Sequence, residues 1–275
     1  MEKIAVLGAG SWGTALAIVL NNNGHEVRLW THSEECAEKL RTTHRNEEYL
    51  KDVVLPEGLQ FFSDLEAALD GVSAVVFVLP TEAIRSVCRQ VKQALKTKVT
   101  IIHGTKGIEP ETHKRVSEMI EEELPSHLYD EIVVLSGPSH AEEVSIGHPT
   151  TVTAASKSKQ AALYTQSLFM NDYFRVYSNS DVIGVELGGS LKNIIAIGAG
   201  ISDGLGYGDN AKAALVTRGL AEITRLGTTM GADPLSFIGL TGVGDLIVTS
   251  TSRHSRNWKA GNMLAKGYSV EEILK

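Results

Sequence analysis

The sequence contains little cysteine. Cys36 and Cys88 are the only two cysteines in 275 residues, and they form neither a CxxC pair nor a Cys/His cluster with zinc spacing. We therefore expect no metal site. Such sparse use of cysteine is typical of a reducing compartment, so the sequence also predicts a cytoplasmic protein.

Excess basic charge and long apolar segments are also lacking. Lys and Arg number 26 against 33 Asp and Glu, a formal net charge of -7, which argues against a broad nucleic-acid-binding surface. A local basic patch for a phosphorylated small molecule remains compatible with this balance. No uninterrupted apolar run reaches the roughly 20 residues that a membrane-spanning helix needs, and the first residues do not resemble a signal peptide.

Short apolar runs alternate with amphipathic stretches over the first 180 residues. Strands that alternate with helices predict a mainly parallel sheet with helices on both faces. The predicted strands lie at 4–7, 26–30, 59–62, 74–79, 99–103, 132–135, 151–155 and 174–177. The predicted helices lie at 14–22, 82–95, 111–123 and 159–170.

The pattern changes at Asp181, after which the strand signals largely stop. Helices are predicted at 181–203, at 210–230 with Asn210 as N-cap and Gly231 as stop, at 258–266 and at 270–275. We expect a doubly wound α/β domain over residues 1–180 and an all-α domain over residues 181–275. Because the second domain ends within a helical pattern, we expect it to be incomplete at its C-terminus.

The segment Gly8-Ala9-Gly10-Ser11-Trp12-Gly13 has the spacing GxGxxG. It follows an apolar strand and opens a helix, the context in which this motif predicts a dinucleotide site of Rossmann type. Gly8 allows the tight turn, Gly10 lets the backbone approach a pyrophosphate, and Gly13 allows close helix–strand packing. The N–H groups and the positive dipole at the helix start stabilise phosphates. The first domain is therefore expected to bind NAD or NADP.

The end of the second predicted strand bears on the choice between these dinucleotides. An NAD-binding chain usually carries Asp or Glu there for the ribose hydroxyls, whereas this chain reads Trp30-Thr31-His32-Ser33, with Glu34 and Glu35 following. No Arg is present to pair with a 2′-phosphate, although His32 can contribute. The residues lean to NADP and leave the choice open.

Three predicted strands end in loops rich in Gly, Pro, Ser and Thr. These loops are Pro80-Thr81, Gly104-Thr105-Lys106-Gly107 and Ser136-Gly137-Pro138-Ser139. Ligands of open α/β sheets bind at the carboxyl ends of the strands, so Lys106 is expected to face the dinucleotide side of the sheet. The alternative for Lys106 is a solvated loop lysine.

Lys192 lies within a largely apolar predicted helix. A lysine there is either exposed along one polar stripe or held for a chemical purpose. Burial or a neighbouring cation such as Lys106 lowers the pKa of a lysine towards neutrality, which suits a general base.

Two later segments carry further polar groups. Thr241-Gly242-Val243-Gly244-Asp245 is predicted as a glycine-rich turn whose Asp245 orients a lysine or a substrate hydroxyl, or else caps the next helix. The stretch 252–259 is a basic cluster before a helix, in which Arg256 offers a bidentate fork to a phosphate and Ser255 and Asn257 add donors. The alternative for this cluster is a solvated basic turn.

Together, these segments resemble the bacterial-type NAD(P)-dependent glycerol-3-phosphate dehydrogenase family. The resemblance lies in GAGSWGTALA at 8–17, GTKGIE at 104–109, LSGPSHAEEV at 135–144, ELGGSLKNIIAIGAGISDGL at 186–205, TGVGDLIVTSTS at 241–252 and SRNWKAG at 255–261. It implies reversible hydride transfer between C2 of sn-glycerol 3-phosphate and NAD(P), with dihydroxyacetone phosphate as the ketone. It also implies a supply of glycerol 3-phosphate for phospholipid synthesis.

The resemblance implies roles for individual residues as well. Lys192 is the proton acceptor in oxidation and the donor in reduction, and Lys106 contacts both substrate and dinucleotide, so these two and Asp245 are the catalytic candidates. The implied substrate-binding residues are Lys106, Gly137, Ser139, Lys192, Asp245, Ser255, Arg256 and Asn257. The implied dinucleotide-binding residues beyond the glycines are Ser11, Trp12, His32, Lys106, Ala141 and Arg256.

Two features depart from the family pattern. Family chains commonly carry Arg directly after the position of His32, where this chain has Ser33, so a strong NADP preference is not expected. Family chains also continue past residue 275 with helices that contact the dinucleotide. The alternatives are a 6-phosphogluconate-type dehydrogenase, whose second domain is also all-α, and a non-catalytic NADP-sensing module. The Ser-Arg-Asn phosphate cluster and the TGVGD turn disfavour the first, and the two lysines and the basic cluster disfavour the second. The oligomeric state, a homodimer included, stays open.

Overall fold

The computed structural model describes residues 1–274, which divide into two compact units. Unit 1 comprises Met1–Leu135 and Ala141–Ser180. Unit 2 comprises the short segment Ser136–His140 and the chain from Asp181 onwards.

Unit 1 is an α/β structure built on an eight-stranded sheet. Its strands are β1 (Lys3–Leu7), β2 (Glu26–Trp30), β5 (Gln60–Phe62), β6 (Ala74–Phe77), β7 (Val99–His103), β8 (Tyr129–Ser136), β9 (Thr150–Ala155) and β10 (Phe174–Asn179), with β3 (Arg45–Asn46) and β4 (Leu50–Val54) as a separate antiparallel hairpin. Its helices are α1 (Ser11–Asn22), α2 (Glu34–Thr43), α3 (Leu65–Leu69), α4 (Ile84–Ala94), α5 (Val116–Glu123), α6 (Ala141–Ser145) and α7 (Lys159–Phe169).

The strand order is β10-β9-β8-β7-β6-β1-β2-β5, and the neighbouring pairs from β8 to β5 are parallel. From β1 the chain proceeds through β2 to β5 on one side, then returns to build β6, β7 and β8 on the other. The chain order thus switches direction between β1 and β6, and ligands of doubly wound sheets bind at the carboxyl ends of the strands beside such a switch.

Both faces of this sheet are covered, which explains why its strands are nearly continuous apolar runs. Ile4 and Val6 of β1 pack on one face with Leu16 of α1, whereas Leu7 packs on the other face with Ile84 of α4. This alternation follows from the two-residue period of a strand.

Unit 2 is helical from Asp181 onwards. Its helices are α8 (Val182–Gly204), α9 (Gly208–Thr229), α10 (Pro234–Phe237), α11 (Asp245–Thr251), α12 (Arg256–Ala265) and α13 (Val270–Ile273), with a π-helical turn at Leu240–Gly244. The parallel sheet of unit 1 and the helices of unit 2 confirm the predicted fold class.

Two predicted elements differ in their bounds for reasons that the hydrogen bonds show. The strand predicted to 79 ends at Phe77, because the N–H of Leu79 donates to the Thr105 hydroxyl (3.1 Å) instead of to a neighbouring strand. The helix predicted from 111 begins at Val116, because the preceding residues form a turn closed by a bridge between Ile108 and Arg115.

The prediction of Asn210 as an N-cap is wrong. Helix α9 begins at Gly208 with Tyr207 as N-cap, so Asn210 lies inside the first turn. Gly206 and Gly208 have φ angles of +75° and +79°, which let the chain reverse tightly after α8. No predicted element corresponds to α2, the β3–β4 hairpin, α3, α6 or α10. All of these except α2, which has ten residues, are elements of five residues or fewer.

Two segments are long and apolar enough by composition to cross a membrane. They are Val182–Gly204, of which 56% is buried within the structure, and Pro234–Thr251, of which 44% is buried. Core helices pass the same test, so these segments do not indicate membrane spans.

Candidate functional site

The glycine loop between β1 and α1 has the geometry of a dinucleotide-binding turn. Gly8 has a φ of +116°, and a side chain there would collide with the carbonyl oxygen of Val78. A Cβ on Gly13 would collide with the carbonyl of Gly8, so this glycine permits the close strand–helix approach. A Cβ on Gly10, in contrast, would meet no atom within 4 Å. The space above Gly10 is therefore open to a ligand, and the loop fits a pyrophosphate.

The first turn of α1 supplies the donors for such a group. Gly10 is the N-cap and has no side chain to cap the helix, and Thr14 donates the first helical hydrogen bond to its carbonyl (3.0 Å). The N–H groups of Ser11, Trp12 and Gly13 precede that bond and are oriented along the positive end of the helix dipole. Ala141, at the start of α6, is buried, and α6 packs against α1.

The β3–β4 hairpin, which the sequence did not predict, supports the glycine loop. The buried Asn46 amide donates to the carbonyl of Ala9 (2.8 Å) and to the hydroxyl of Thr14 (2.9 Å). The Ser11 hydroxyl donates to the carbonyl of Tyr49 (3.2 Å). Asparagine is too common in loops for this contact to be visible in the sequence.

Acidic and basic groups are already paired at the end of β2. His32 is exposed, and Ser33 caps α2 by accepting from the N–H of Cys36 (3.2 Å). Glu34 accepts hydrogen bonds from Arg41 (2.9 Å) and Ser63, and Arg41 also binds Glu38 (2.8 Å). The Arg41 guanidinium is therefore committed to two carboxylates, which raise its pKa.

Lys106 lies in the loop after β7, at the carboxyl edge of the sheet, as expected. The loop is held to the end of β6, because Thr105 accepts from the N–H of Leu79 (3.1 Å) and Thr81 donates to the carbonyl of Lys106 (3.5 Å). Gly107 has a φ of +155° and lies so close to Thr81 that a side chain would collide with its hydroxyl. Lys106 itself is partly buried.

Lys192 is buried in unit 2, so the exposed-stripe alternative is wrong. Its residue exposure is 6% and that of Asp245 is 1%. The Lys192 ammonium forms a short contact with Asp245 Oδ1 and donates to the Thr249 hydroxyl (2.8 Å). Thr249, one turn after Asp245 on α11, is a site residue that the sequence analysis did not single out.

The local fold brings these three side chains together. The segment predicted as a glycine-rich turn is instead the π-helical turn at 240–244, which leads directly into α11 and places Asp245 as its first residue. Gly188 of α8 packs against this turn so closely that a side chain would collide with the Thr241 carbonyl. π-Helical turns often occur at functional sites because they re-aim side chains within a helix.

The segment 136–140 and the basic cluster are adjacent within unit 2. The rings of His140 and His254 lie 5.8 Å apart between centroids. Gly137 has a φ of +148°, and the Ser139 hydroxyl donates back to its carbonyl (3.0 Å), which forms a tight turn. The structure thus places the turn that contains Ser139 next to the start of α12.

Helix α12 presents its N-terminus at the basic cluster. Ser255 is the N-cap, and its hydroxyl accepts from the N–H of Trp258 (3.2 Å), which leaves the hydroxyl proton for another acceptor. Arg256 is exposed and Asn257 partly buried. The Trp258 ring N–H donates to Asp203 of α8 (2.7 Å), which ties this helix start to α8.

The described residues contain no group of three or more His, Cys, Asp or Glu side chains that could hold a metal ion. The sequence-predicted residues fall into two sets. The glycine loop, His32, Lys106 and Ala141 belong to unit 1, whereas Gly137, Ser139, Lys192, Asp245 and the 255–257 segment belong to unit 2.

Comparisons with known proteins agree with this arrangement. Residues 3–162 match the family model of the NAD-dependent glycerol-3-phosphate dehydrogenase N-terminus, and residues 181–275 match that of its C-terminus. A glycerol-3-phosphate dehydrogenase [NAD(P)+] of Oceanobacillus iheyensis is 64% identical over all 275 residues, which span 79% of that protein. One of Enterococcus faecalis is 61% identical over 274 residues, 81% of its length.

A solved structure gives the same result. The crystal structure of glycerol-3-phosphate dehydrogenase from Coxiella burnetii has a TM-score of 0.95 at 41% identity, over 99% of this chain and 83% of that one. The resemblance seen in the motifs is thereby confirmed. The chain belongs to the NAD-dependent glycerol-3-phosphate dehydrogenase family.

Proposed function

We propose that this protein interconverts sn-glycerol 3-phosphate and dihydroxyacetone phosphate with NAD(P). The observation that carries the proposal is the buried Lys192–Asp245–Thr249 cluster in a member of this family. Oxidation of a secondary alcohol needs a group that accepts the hydroxyl proton while the carbonyl forms, and a positioned lysine suits that task. NAD(P) held by the glycine loop at 8–13 would supply the hydride acceptor for C2 in oxidation and the hydride donor in reduction.

Lys192 is the proposed proton relay. In oxidation its neutral amine takes the C2 hydroxyl proton, and in reduction its ammonium returns a proton to the ketone oxygen. Asp245 and Thr249 orient the nitrogen, and the Asp245 carboxylate stabilises the ammonium form. Lys106 is proposed to supply positive charge to the alkoxide that develops at C2.

The start of α12 is the proposed phosphate site. Arg256 would bind the phosphate through its guanidinium fork, with Ser255, Asn257 and the helix-start N–H groups as further donors. Gly137 and Ser139 belong to the same site by family resemblance, and the adjacency of their turn to the basic cluster supports this. Binding energy from the phosphate, which does not react, would align C2 for hydride transfer.

The two domains would divide these tasks. Residues 1–180 are proposed as the dinucleotide-binding domain, with Gly8, Gly10, Ser11, Trp12 and Gly13 holding the pyrophosphate. His32, Lys106, Ala141 and Arg256 are proposed as further dinucleotide contacts. Residues 181–275 are proposed as the substrate-binding domain.

The lean towards NADP finds no support in the contacts at the end of β2. Arg41 is engaged by two carboxylates, and the first turn of α2 carries Glu34 and Glu35, which repel a 2′-phosphate. We therefore propose that the protein uses both dinucleotides, with no strong preference for NADP.

The proposed setting is the cytoplasm, where the reduction would supply glycerol 3-phosphate for phospholipid synthesis.

We further propose a homodimer. Association with a second copy would bury large apolar side chains that unit 2 exposes, namely Ile194 (67%), Leu235 (68%) and Ile238 (66%). Light scattering on the purified protein distinguishes a dimer from a monomer.

The test of the activity is oxidation of NADH and NADPH with dihydroxyacetone phosphate as acceptor. It is run on this chain. We expect turnover with both dinucleotides. Dinucleotide binding without turnover with either one would instead indicate the non-catalytic sensing module.

Two substitutions test the residue roles in the same assay. Lys192→Ala is expected to lower kcat by about 10²-fold or more while leaving dinucleotide affinity within about twofold. Arg256→Ala is expected mainly to raise the KM for dihydroxyacetone phosphate. Arg225→Ala removes an exposed arginine of α9 and is the control, expected to behave as wild type. Loss of dinucleotide binding in Lys192→Ala, or an unchanged KM in Arg256→Ala, contradicts the respective assignment.

A further inference from the structure

The loop that carries Lys106 is anchored at both ends. We define it as the Lys106 loop, residues 104–115. Near its start, Thr105 and Gly107 are fixed against the end of β6 and Thr81. At its far end the backbone folds back on itself, because Glu109 exchanges backbone hydrogen bonds with His113 and Lys114 (both 2.9 Å). Glu109, whose backbone forms this second anchor, lies three residues after Lys106.

Glu109 forms a two-pronged ion pair with Arg85 of α4. Arg85 Nε lies 2.6 Å from Glu109 Oε1, and Arg85 Nη2 lies 2.8 Å from Oε2. The two side chains are 22% and 13% exposed. Hydrogen bonds from Arg85 and Thr112 lower the pKa of Glu109 to about 2, so this carboxylate is ionised at any working pH.

Arg85 is itself held from the opposite side. Its guanidinium also binds Glu122 (2.8 Å) and Glu123 (3.1 Å) at the end of α5. Two of its three carboxylate partners therefore lie outside the loop, and they restrict the orientation of Arg85 independently of Glu109. A bidentate pair to such a fixed arginine restricts the direction as well as the position of the carboxylate.

We infer that Arg85 is a positioning residue for the reaction, which acts by holding the Lys106 loop through Glu109. This inference rests on the proposed role of Lys106. Partly exposed ion pairs contribute little to global stability, so the geometric effect on the loop is expected to exceed the effect on unfolding. A displacement of about 1 Å in a catalytic group is enough to lower a rate by up to about 10²-fold.

Arg89 provides a matched control. It lies one turn after Arg85 on α4 and binds Glu123 (3.0 Å) in the same network. Because its bonds are to Glu123, Arg89→Gln removes a charge from the network and leaves the pair with Glu109 in place. A purely structural role of the network predicts similar effects for Arg85→Gln and Arg89→Gln.

The first measurement compares kinetics and loop protection in these variants. Arg85→Gln and Glu109→Gln are expected to lower kcat/KM for dihydroxyacetone phosphate by about tenfold, and to speed hydrogen exchange of amides 104–115, while Arg89→Gln stays within about twofold of wild type. Arg85→Lys keeps the charge but loses the fork, so it is expected to resemble Arg85→Gln. Equal effects of the Arg85 and Arg89 substitutions, or full rescue by Arg85→Lys, would overturn the inference.

A double-mutant cycle tests whether Arg85 acts through Lys106. Lys106→Ala alone is expected to lower turnover, and Arg85→Gln is expected to have little further effect in that background. Additive losses overturn the positioning role but leave the proposed function intact. If Lys106→Ala has no effect on turnover, the proposed role of Lys106 fails instead.

Discussion

Lys192 and Asp245 place opposite charges in the interior of unit 2. Removing two charges from water carries a desolvation cost that their attraction often fails to repay, so a buried ion pair is weak evidence for stability. Helix α8, which carries Lys192, is otherwise rich in glycine and apolar residues. An apolar side chain at position 192 would therefore give a more stable fold than a lysine. At the residue scale, the burial of this pair supports the proposed proton relay more than it supports a role in folding.

A second residue-scale feature is Ser33, which caps α2 shortly after the end of β2. We expect Ser33→Arg to raise the ratio of kcat/KM for NADPH over NADH by about tenfold, since one charge-assisted hydrogen bond to a 2′-phosphate contributes about 1.5–3 kcal/mol. The substitution also removes the cap of α2, at about 1 kcal/mol of stability. Ser33→Ala loses the same cap without adding a cation, so it separates the effect on stability from the effect on dinucleotide preference. Its ratio of kcat/KM for NADPH over NADH should equal that of wild type. Steady-state kinetics with both dinucleotides measures this, and a ratio unchanged in Ser33→Arg would place the 2′-phosphate elsewhere.

At the scale of elements, the crossing of α8 and α12 explains the small residues of α8. A Cβ on Gly200 would collide with the carbonyl of Trp258, and one on Gly261 would collide with the carbonyl of Ile197. The two backbones are therefore in direct contact. This contact fixes the start of α12, with Arg256, relative to Lys192 on α8.

Gly200→Ala tests this crossing. We expect it to lower the free energy of unfolding by about 1–3 kcal/mol, because the backbones must separate, and to raise the KM for dihydroxyacetone phosphate. Gly198→Ala is the control on the same helix: its new methyl would lie 3.3 Å from a terminal carbon of Leu215, a side chain that can move. Urea unfolding and steady-state kinetics measure both effects. Equal stability of the two variants would show that α8 and α12 tolerate a wider spacing.

At the scale of the whole molecule, acidic side chains outnumber basic ones, and several of them are held in ionised form by partners. The pKa of Glu109 is lowered by Arg85 and Thr112, that of Glu123 by Arg89 and Arg85, and that of Glu272 by Ser269. A carboxyl whose folded pKa is depressed contributes stability above its unfolded pKa, and this contribution is lost as pH falls through the folded value.

The acid limb of stability should therefore depend on Glu109. Its contribution is present above the unfolded glutamate pKa of about 4.3 and disappears as pH falls towards about 2. We expect the urea midpoints of wild type and Glu109→Gln to differ more at pH 7 than at pH 3. Glu111→Gln, an exposed glutamate of the same loop, serves as control and should show no such change. A difference that stays constant from pH 7 to pH 3 would exclude the ion pair as its source.

Local patterns were sufficient for much of this protein. The two-residue and helical periods of apolar residues predicted the sheet of unit 1, the change at Asp181 and the long helices. They did so because a buried face requires apolar residues at a regular spacing along the chain. The sequence also predicted the glycine loop, because the backbone at Gly8 and Gly13 has a geometry that only glycine allows. The place of Lys106 also follows from local information, because it lies three residues after the carboxyl end of β7.

Only the tertiary structure decided which groups these residues meet. The partner of Lys192 lies 53 residues away, and the π-helical turn that presents it was read as a simple turn. Contacts between distant segments also determine the roles of Asn46, Thr249 and the Arg85–Glu109 pair. Such contacts produce no regular spacing of residues, so the sequence alone does not predict them. Short-range steric rules thus determined the elements and the glycine loop by sequence alone, whereas long-range packing decided the partners of Lys192 and the anchoring of the Lys106 loop.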